Sequence, residues 1–151
     1  LEPGMSYLAI ASGFLGDTTP EFQLIPVADE FAGDAADALV RVVHASPDAP
    51  SVDVGPSLDD KVDAIGDFTD LGFRDASVGA GTALPVGELT VGVAATGTED
   101  AVATFDITTA SGLRAFAVAC GSLDGTGESF RLVLVVTGDG AWSAVEVMPN
   151  M

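Results

Sequence analysis

The sequence predicts an all-β fold, an immunoglobulin-like antiparallel β-sandwich, on three observations. An apolar share of 48% is dominated by Val, Ala, Leu and Ile and is interrupted by 18 Gly and 8 Pro, a mixture suited to short strands joined by tight turns. Several segments alternate apolar and polar residues with a period of two, as strands with one buried face do. Turn residues separate about seven such segments, which points to a sandwich rather than to strands alternating with helices.

The first element in chain order is half of an internal repeat. Shifted by 108 positions, residues 4 to 27 align without a gap on residues 112 to 135. Identical pairs are Gly4/Gly112, Ala9/Ala117, Ala11/Ala119, Gly13/Gly121, Leu15/Leu123, Thr18/Thr126, Phe22/Phe130, Leu24/Leu132 and Val27/Val135, with Ile10/Val118 and Ile25/Val133 as conservative pairs. Residues 1–33 therefore read as the last two strands of one module, and residues 34–151 as a complete module that follows. A two-stranded ribbon is marginal in water by itself, so the first two strands are expected to pack on the main module. The segment from Ala28 to Ala38, with Asp29, Glu30, Asp34 and Asp37, reads as the linker. The opening Leu1-Glu2-Pro3-Gly4, without an initiator Met, suggests a mature or trimmed piece of a longer tandem array.

In the main module, Leu39 to His44 reads as a strand stopped by Ser46-Pro47-Asp48-Ala49-Pro50, where two prolines remove ladder donors. A short strand around Val52 to Val54 follows. Residues 57–76 read as an insertion loop with one helical turn, carrying Leu58, Val62, Ile65 and Phe68 on one stripe. Glu88 to Ala95 and Val102 to Thr108 alternate as half-buried strands. Leu113 to Cys120 sets Phe116, Val118 and Cys120 against a face of alanines, so it is expected to be central and covered on both sides. Phe130 to Val136 and Trp142 to Val147 complete the set around the turn Thr137-Gly138-Asp139-Gly140.

Charge and cysteine content bound the function. There are 23 Asp plus Glu against Arg41, Arg74, Arg114, Arg131 and Lys61, a formal net charge of -18 that repels nucleic acid and anionic membranes. Cys120 stands alone, so no intrachain disulfide is available. No apolar run reaches the length of a membrane helix, and no membrane insertion is expected. The acids are spread over linker, loop and turns rather than gathered in one patch, which fits adaptation to high salt.

The run Val40-Arg41-Val42-Val43-His44-Ala45-Ser46-Pro47-Asp48-Ala49-Pro50-Ser51-Val52-Asp53-Val54 resembles the opening signature of the DUF4397 family, domains of unknown function in secreted bacterial and archaeal proteins. Pro85-Val86-Gly87-Glu88-Leu89-Thr90-Val91 resembles the family's Pro-x-Gly-x-Tyr strand entry, and Ser111-Gly112-Leu113-Arg114-Ala115-Phe116 its Ala-Gly-x-x-Tyr counterpart, with Gly4-Met5-Ser6-Tyr7 as a second copy of the latter. The resemblance runs from about Leu39 to Val136 and implies tandem β-sandwich modules outside the cell. It brings no catalytic residue or cofactor. The chain departs from the pattern after Val54, where Gly55-Pro56 and the Asp-rich insertion replace an aromatic-bearing strand and tight turn.

Two constellations invite chemistry. His44, Ser46 and Asp48 have the residue types of a hydrolytic triad, but two residues apart on one extended segment they do not converge from separate elements. A turn with an edge histidine is the plainer reading. Asp59, Asp60, Asp63, Asp67 and Asp70, with Asp75 beyond them, offer the hard oxygen ligands calcium takes, without the spacing of a dedicated calcium loop. Cys120 reads as a buried small residue, and Trp142 and Tyr7 as aromatics that close a core. The expected function is a non-catalytic structural, adhesive or binding module of a surface array, with neighbouring repeats and a surface protein or glycan as partners and no cofactor. The alternative is a secreted hydrolase using His44 with Ser46 or Asp48.

Overall fold

The computed structural model describes residues 1–33, 36–138 and 140–150. Asp34 of the expected linker and Asp139 of the expected last turn lie outside the described residues. The strands are β1 (Tyr7–Ser12), β2 (Gln23–Ala28), β3 (Ala38–His44), β4 (Val52–Leu58), β5 (Lys61–Val62), β6 (Thr82–Leu84), β7 (Gly87–Ala95), β8 (Ala101–Thr109), β9 (Arg114–Cys120), β10 (Arg131–Val136) and β11 (Ser143–Val147), with one 3-10 turn at Gly66–Phe68. None of the described helical segments is long and apolar enough to cross a membrane.

The all-β sandwich is present. One sheet has the order β11-β10-β9-β3-β6 and the other β5-β4-β7-β8. The inner faces meet in a core that includes Val40 and Val42 from β3, Ala117 and Ala119 from β9, Leu132 from β10, Val54 from β4, Val91 and Val93 from β7, and Phe105 from β8. Each is nearly inaccessible because alternate residues of a strand face the same way, so one apolar parity buries a whole face. Phe68, from the 3-10 turn, fills the same core.

One pair at the centre of the larger sheet departs from the antiparallel pattern of the rest of the sandwich. β3 and β9 run parallel, with Leu39 beside Arg114 and His44 beside Ala119. Parallel neighbours need a long crossover, and here the entire second sheet supplies it. The stretch after Val54 also differs from the insertion loop expected. β4 runs on through Gly55 and Pro56 to Leu58 and turns back at Asp59 and Asp60, whose φ of 50° and 58° suit a tight hairpin turn, into β5. Gly55 permits this because a Cβ there would lie 2.0 Å from the carbonyl oxygen of Asp63. Of the apolar stripe, Val62 and Phe68 are buried, whereas Leu58 points to solvent.

β9 is covered on both sides, as its sequence requires. Behind it, Phe116 and Val118 join Val43, Val27 and Val135 in a second apolar cluster, packed by Leu8, Ile10 and Ile25 of the β1–β2 ribbon together with Phe31 and Trp142. Phe116 is fully buried, with ring centroids 5.1 Å from Phe31 and 6.1 Å from Trp142. Arginines reinforce this layer through backbone carbonyls. Arg41 Nη1 donates to Ala28 O at 2.7 Å, Arg114 Nε to Ala32 O at 3.0 Å, and Arg74 Nη2 donates to Glu21 O.

The repeat in sequence is a repeat in structure. β1 pairs with β2 as Tyr7 to Ala28 through Ser12 to Gln23, and the positions 108 residues later pair identically, Ala115 to Val136 through Cys120 to Arg131. The loops match as well. Phe14 N donates to Pro20 O at 2.9 Å and Ser122 N to Glu128 O at 2.8 Å, while Gly13 and Gly121 have φ of 90° and 85°. Neither glycine can be replaced, since a Cβ would sit 2.2 Å from Glu21 O in one loop and 2.3 Å from Ser129 O in the other.

Phe116→Ala is expected to lower stability by about 3–5 kcal/mol, the range for a large aromatic removed from a packed site. Urea unfolding followed by Trp142 fluorescence measures it; a loss below about 1 kcal/mol would show that the layer behind β9 is not tightly packed.

Candidate functional site

The segment that ends β3 brings buried polar side chains together. His44 is 1% exposed and Ser46 wholly buried, because the parallel β3–β9 pair carries them under the loop that joins β9 to β10. His44 Nε2 lies 2.9 Å from Pro50 O, and its Nδ1 accepts the Ser46 amide at 3.3 Å. A backbone carbonyl beside Nε2 and an amide donor on Nδ1 suit the tautomer that carries its proton on Nε2. Both nitrogens are then engaged with the protein's own backbone. The ring edge packs against Phe73, with centroids 6.3 Å apart.

Ser46 and Asp48 grip the β9–β10 loop. Ser46 Oγ lies 2.7 Å from Gly121 O and 3.1 Å from Asp48 Oδ1, sharing its one proton between them. Asp48 accepts the amides of Leu123 at 3.1 Å and Asp124 at 2.8 Å and the hydroxyl of Ser122 at 2.8 Å. Partial desolvation pushes the Asp48 carboxyl up, but the Asp124 amide, the Ser122 hydroxyl, the Leu123 amide and the Ser46 hydroxyl together override it and hold the group down at about 2. Asp124 repeats the device locally, accepting from Ser122 Oγ and from the amide and hydroxyl of Thr126, and its carboxyl is also held below the usual range. The three triad-type residues are thus neighbours, yet Ser46 reaches His44 through its amide and not through its hydroxyl.

A second carboxylate clamp was not singled out by its residue type in the sequence. Asp53, on β4 and 9% exposed, accepts the amides of Asp70 at 2.8 Å and Gly97 at 3.1 Å and the hydroxyl of Thr96 at 3.0 Å. Burial raises its pKa and these three donors lower it by more, so the net direction is down. Its signal was position: it stands between the apolar Val52 and Val54 in the signature run, both of which are buried.

The acidic candidates are dispersed. Asp59 and Asp60 form the β4–β5 turn, Asp63 follows β5, and Asp67 Oδ2 accepts Thr82 Oγ1 at 2.9 Å from the 3-10 turn. Asp70 has a φ of 53° and gives its amide to Asp53, while Asp75 Oδ2 accepts the Gly72 amide at 2.9 Å. Among the described residues, no three His, Cys, Asp or Glu side chains gather into a group that could hold a metal ion. Cys120 is half-buried, and burial pushes its thiol up, away from the reactive thiolate. Between the sheets lies an apolar cavity of about 170 Å³ walled by core residues such as Val40, Phe68, Val91 and Leu134. Its lining suits a small apolar molecule and not a charged one.

A family model described as "Domain of unknown function (DUF4397)" matches residues 38–144, from the first residue of β3 into β11. No curated protein and no solved structure matches the chain.

Asp48→Asn keeps the shape of the clamp but turns an amide N–H toward its donors. It is expected to cost about 1 kcal/mol, the value of charged hydrogen bonds discounted for exposure. Because the folded-state pKa lies below the unfolded value of about 3.9, the wild-type advantage is present above about pH 4 and lost as pH falls through about 2. Parallel melting curves of the two proteins should converge over that window, and a constant gap down to pH 2 would refute the charge-based clamp.

Proposed function

We propose, from the premise that this chain belongs to the DUF4397 family, that it is a non-catalytic structural, adhesive or binding module of a tandem-repeat protein outside the cell. The observation that carries the reading is the state of the signature residues. Both ring nitrogens of His44 face backbone groups, and the Ser46 hydroxyl is buried against Gly121 O and Asp48. A general base needs a free nitrogen within reach of its substrate, and a nucleophile needs access. On this reading His44 braces its own turn, while Ser46 and Asp48 hold the β9–β10 loop. The family signature, on this reading, is a folding device, and recognition falls to exposed loops and sheet faces that vary around it.

The placement outside the cell rests on the resemblance to secreted proteins, and the immunoglobulin-like reading on two short sheets packed face to face. The partners proposed are neighbouring repeats and a surface protein or glycan. A panel of glycans and surface proteins tested against the intact chain should yield a binder, while ester, glycoside and peptide substrates should not turn over. Turnover that disappears in a folded Ser46→Ala variant would replace this reading with the hydrolase.

The charge has its own consequence. Of five cationic side chains, Lys61 pairs with Asp100 and Arg131 with Glu128 and Glu146, whereas Arg41 and Arg74 bond backbone carbonyls and hydroxyls. With 23 acidic side chains against five basic ones, the carboxylates outnumber any available counter-charge and most repel one another. The Debye length falls from about 30 Å at 0.01 M salt to about 3 Å at 1 M, so repulsion spans the domain in dilute buffer and fades in strong salt. We take the surface as adapted to high salt. The melting temperature should climb between about 0.01 M and 2 M sodium chloride, most steeply at the low end. Calcium at matched ionic strength should add nothing. A flat profile would defeat the salt reading, and a calcium-specific rise would bring back the acidic loop of residues 57–76.

A further inference from the structure

The β1–β2 ribbon and the β9–β10 hairpin are the same structure in two different environments. In the hairpin, Phe130 and Leu132 are 6% and 4% exposed, because the second sheet covers them. Their counterparts in the ribbon, Phe22 and Leu24, are 44% and 64% exposed. Ala117 and Ala119 are core residues, and their counterparts Ala9 and Ala11 face solvent. One face of the ribbon is occupied by the cluster around Phe116; the face that makes a sandwich core in the hairpin is bare.

The edges differ in the same way. β9 pairs with β10 on one side and, in parallel, with β3 on the other, whereas β1 pairs with β2 and has no second ladder among the described residues. The loop grip is also missing. In the hairpin, Asp48 takes the amides of Leu123 and Asp124 and Ser46 reaches Gly121 O. In the ribbon, the corresponding groups are the amides of Leu15 and Gly16 and the carbonyl of Gly13, held in a loop of the same backbone form. An apolar face of this kind together with an open strand edge is a site for strand addition and core completion.

We propose that the bare face and free edge of the ribbon are the docking surface for the β3–β8 portion of another module of this kind, joined upstream of β1 in the same polypeptide. The occupant is specified by the molecule itself, since residues 38–109 already cover the identical hairpin. Its β3-type strand would run parallel to β1, its His-Ala-Ser-Pro-Asp turn would close on Gly13 to Gly16, and its second sheet would bury Phe22 and Leu24. The joint is short in the copy that is present, β8 ending at Thr109 and β9 starting at Arg114, so the occupant must precede the ribbon directly in the chain. The ribbon would then belong to two sandwiches at once, a core layer for one and a cover for the other. This rests on the tandem-array reading above but adds the surface, the register and the occupant.

The test is a chain in which residues 38–111 are placed ahead of Gly4, so that Gly4 follows Ser111 as Gly112 does. Hydrogen exchange should show the β1 amides that point away from β2 slowed at least about tenfold relative to the 151-residue chain, as for a strand moved from edge to interior. Leu24→Asp should change the melting of the 151-residue chain by less than about 1 °C, and lower that of the extended chain by about 5 °C or more. Added residues that fold while β1 still exchanges as an edge would overturn the docking and leave the array reading in place. Added residues that stay unfolded, with Leu24→Asp silent in both chains, would overturn it too. Self-association of the 151-residue chain that protects β1 equally would assign the surface to a second copy of the chain instead and refute the upstream occupant.

Discussion

A strand buried on both faces must be apolar on both, and β9 carries that constraint for the whole molecule. Ala115, Ala117 and Ala119 form its inner face, small enough for the opposing sheet to bring Phe68 and Phe105 into the core. Phe116 and Val118 form its outer face and need a cover, which the ribbon supplies. β3 takes one edge and β10 the other. Remove the double burial and there is no reason for a ribbon behind the sheet, for the parallel β3–β9 pair, or for the turn after β3 to reach the loop after β9.

Much of this was legible in the residues. The alternation of Leu113 to Cys120 gave both its centrality and its two faces, and the 108-residue repeat gave two hairpins whose ladders agree pair by pair. What was not legible was non-local. Nothing near Gly55-Pro56 shows that a strand continues there, because the space a side chain would need is taken by Asp63, which arrives by folding back. β6 has only three residues and too little pattern to register as a strand before β3 claims it as an edge. For the site, the types and positions of His44, Ser46 and Asp48 were visible, and the weakness of a triad reading followed from their spacing. Their actual partners, Pro50, Gly121, Leu123 and Asp124, lie up to 76 residues away and could not be read from a single segment.

The few cations in this acidic chain show which interactions stabilise a fold in which charges mostly repel. Arg41 is 7% exposed, sits over the Phe116 ring at 5.8 Å and donates to two carbonyls, Ser77 O and Ala28 O. Burial lowers its pKa, and Glu30 and Asp29 partly restore it. Its fork joins three elements through backbone oxygens, which salt screens far less than a surface ion pair. The exposed pairs of Lys61 and Arg131 contribute little by comparison.

The two hairpins share one register at a spacing of 108 residues, and this bears on how such a chain can change length over generations. An in-frame gain or loss of one whole period, by unequal recombination between copies, would splice a strand onto its own equivalent. Every ladder and both glycine loops would remain in phase at the new junction. The seam of the coding unit therefore need not coincide with the seam of the folded one.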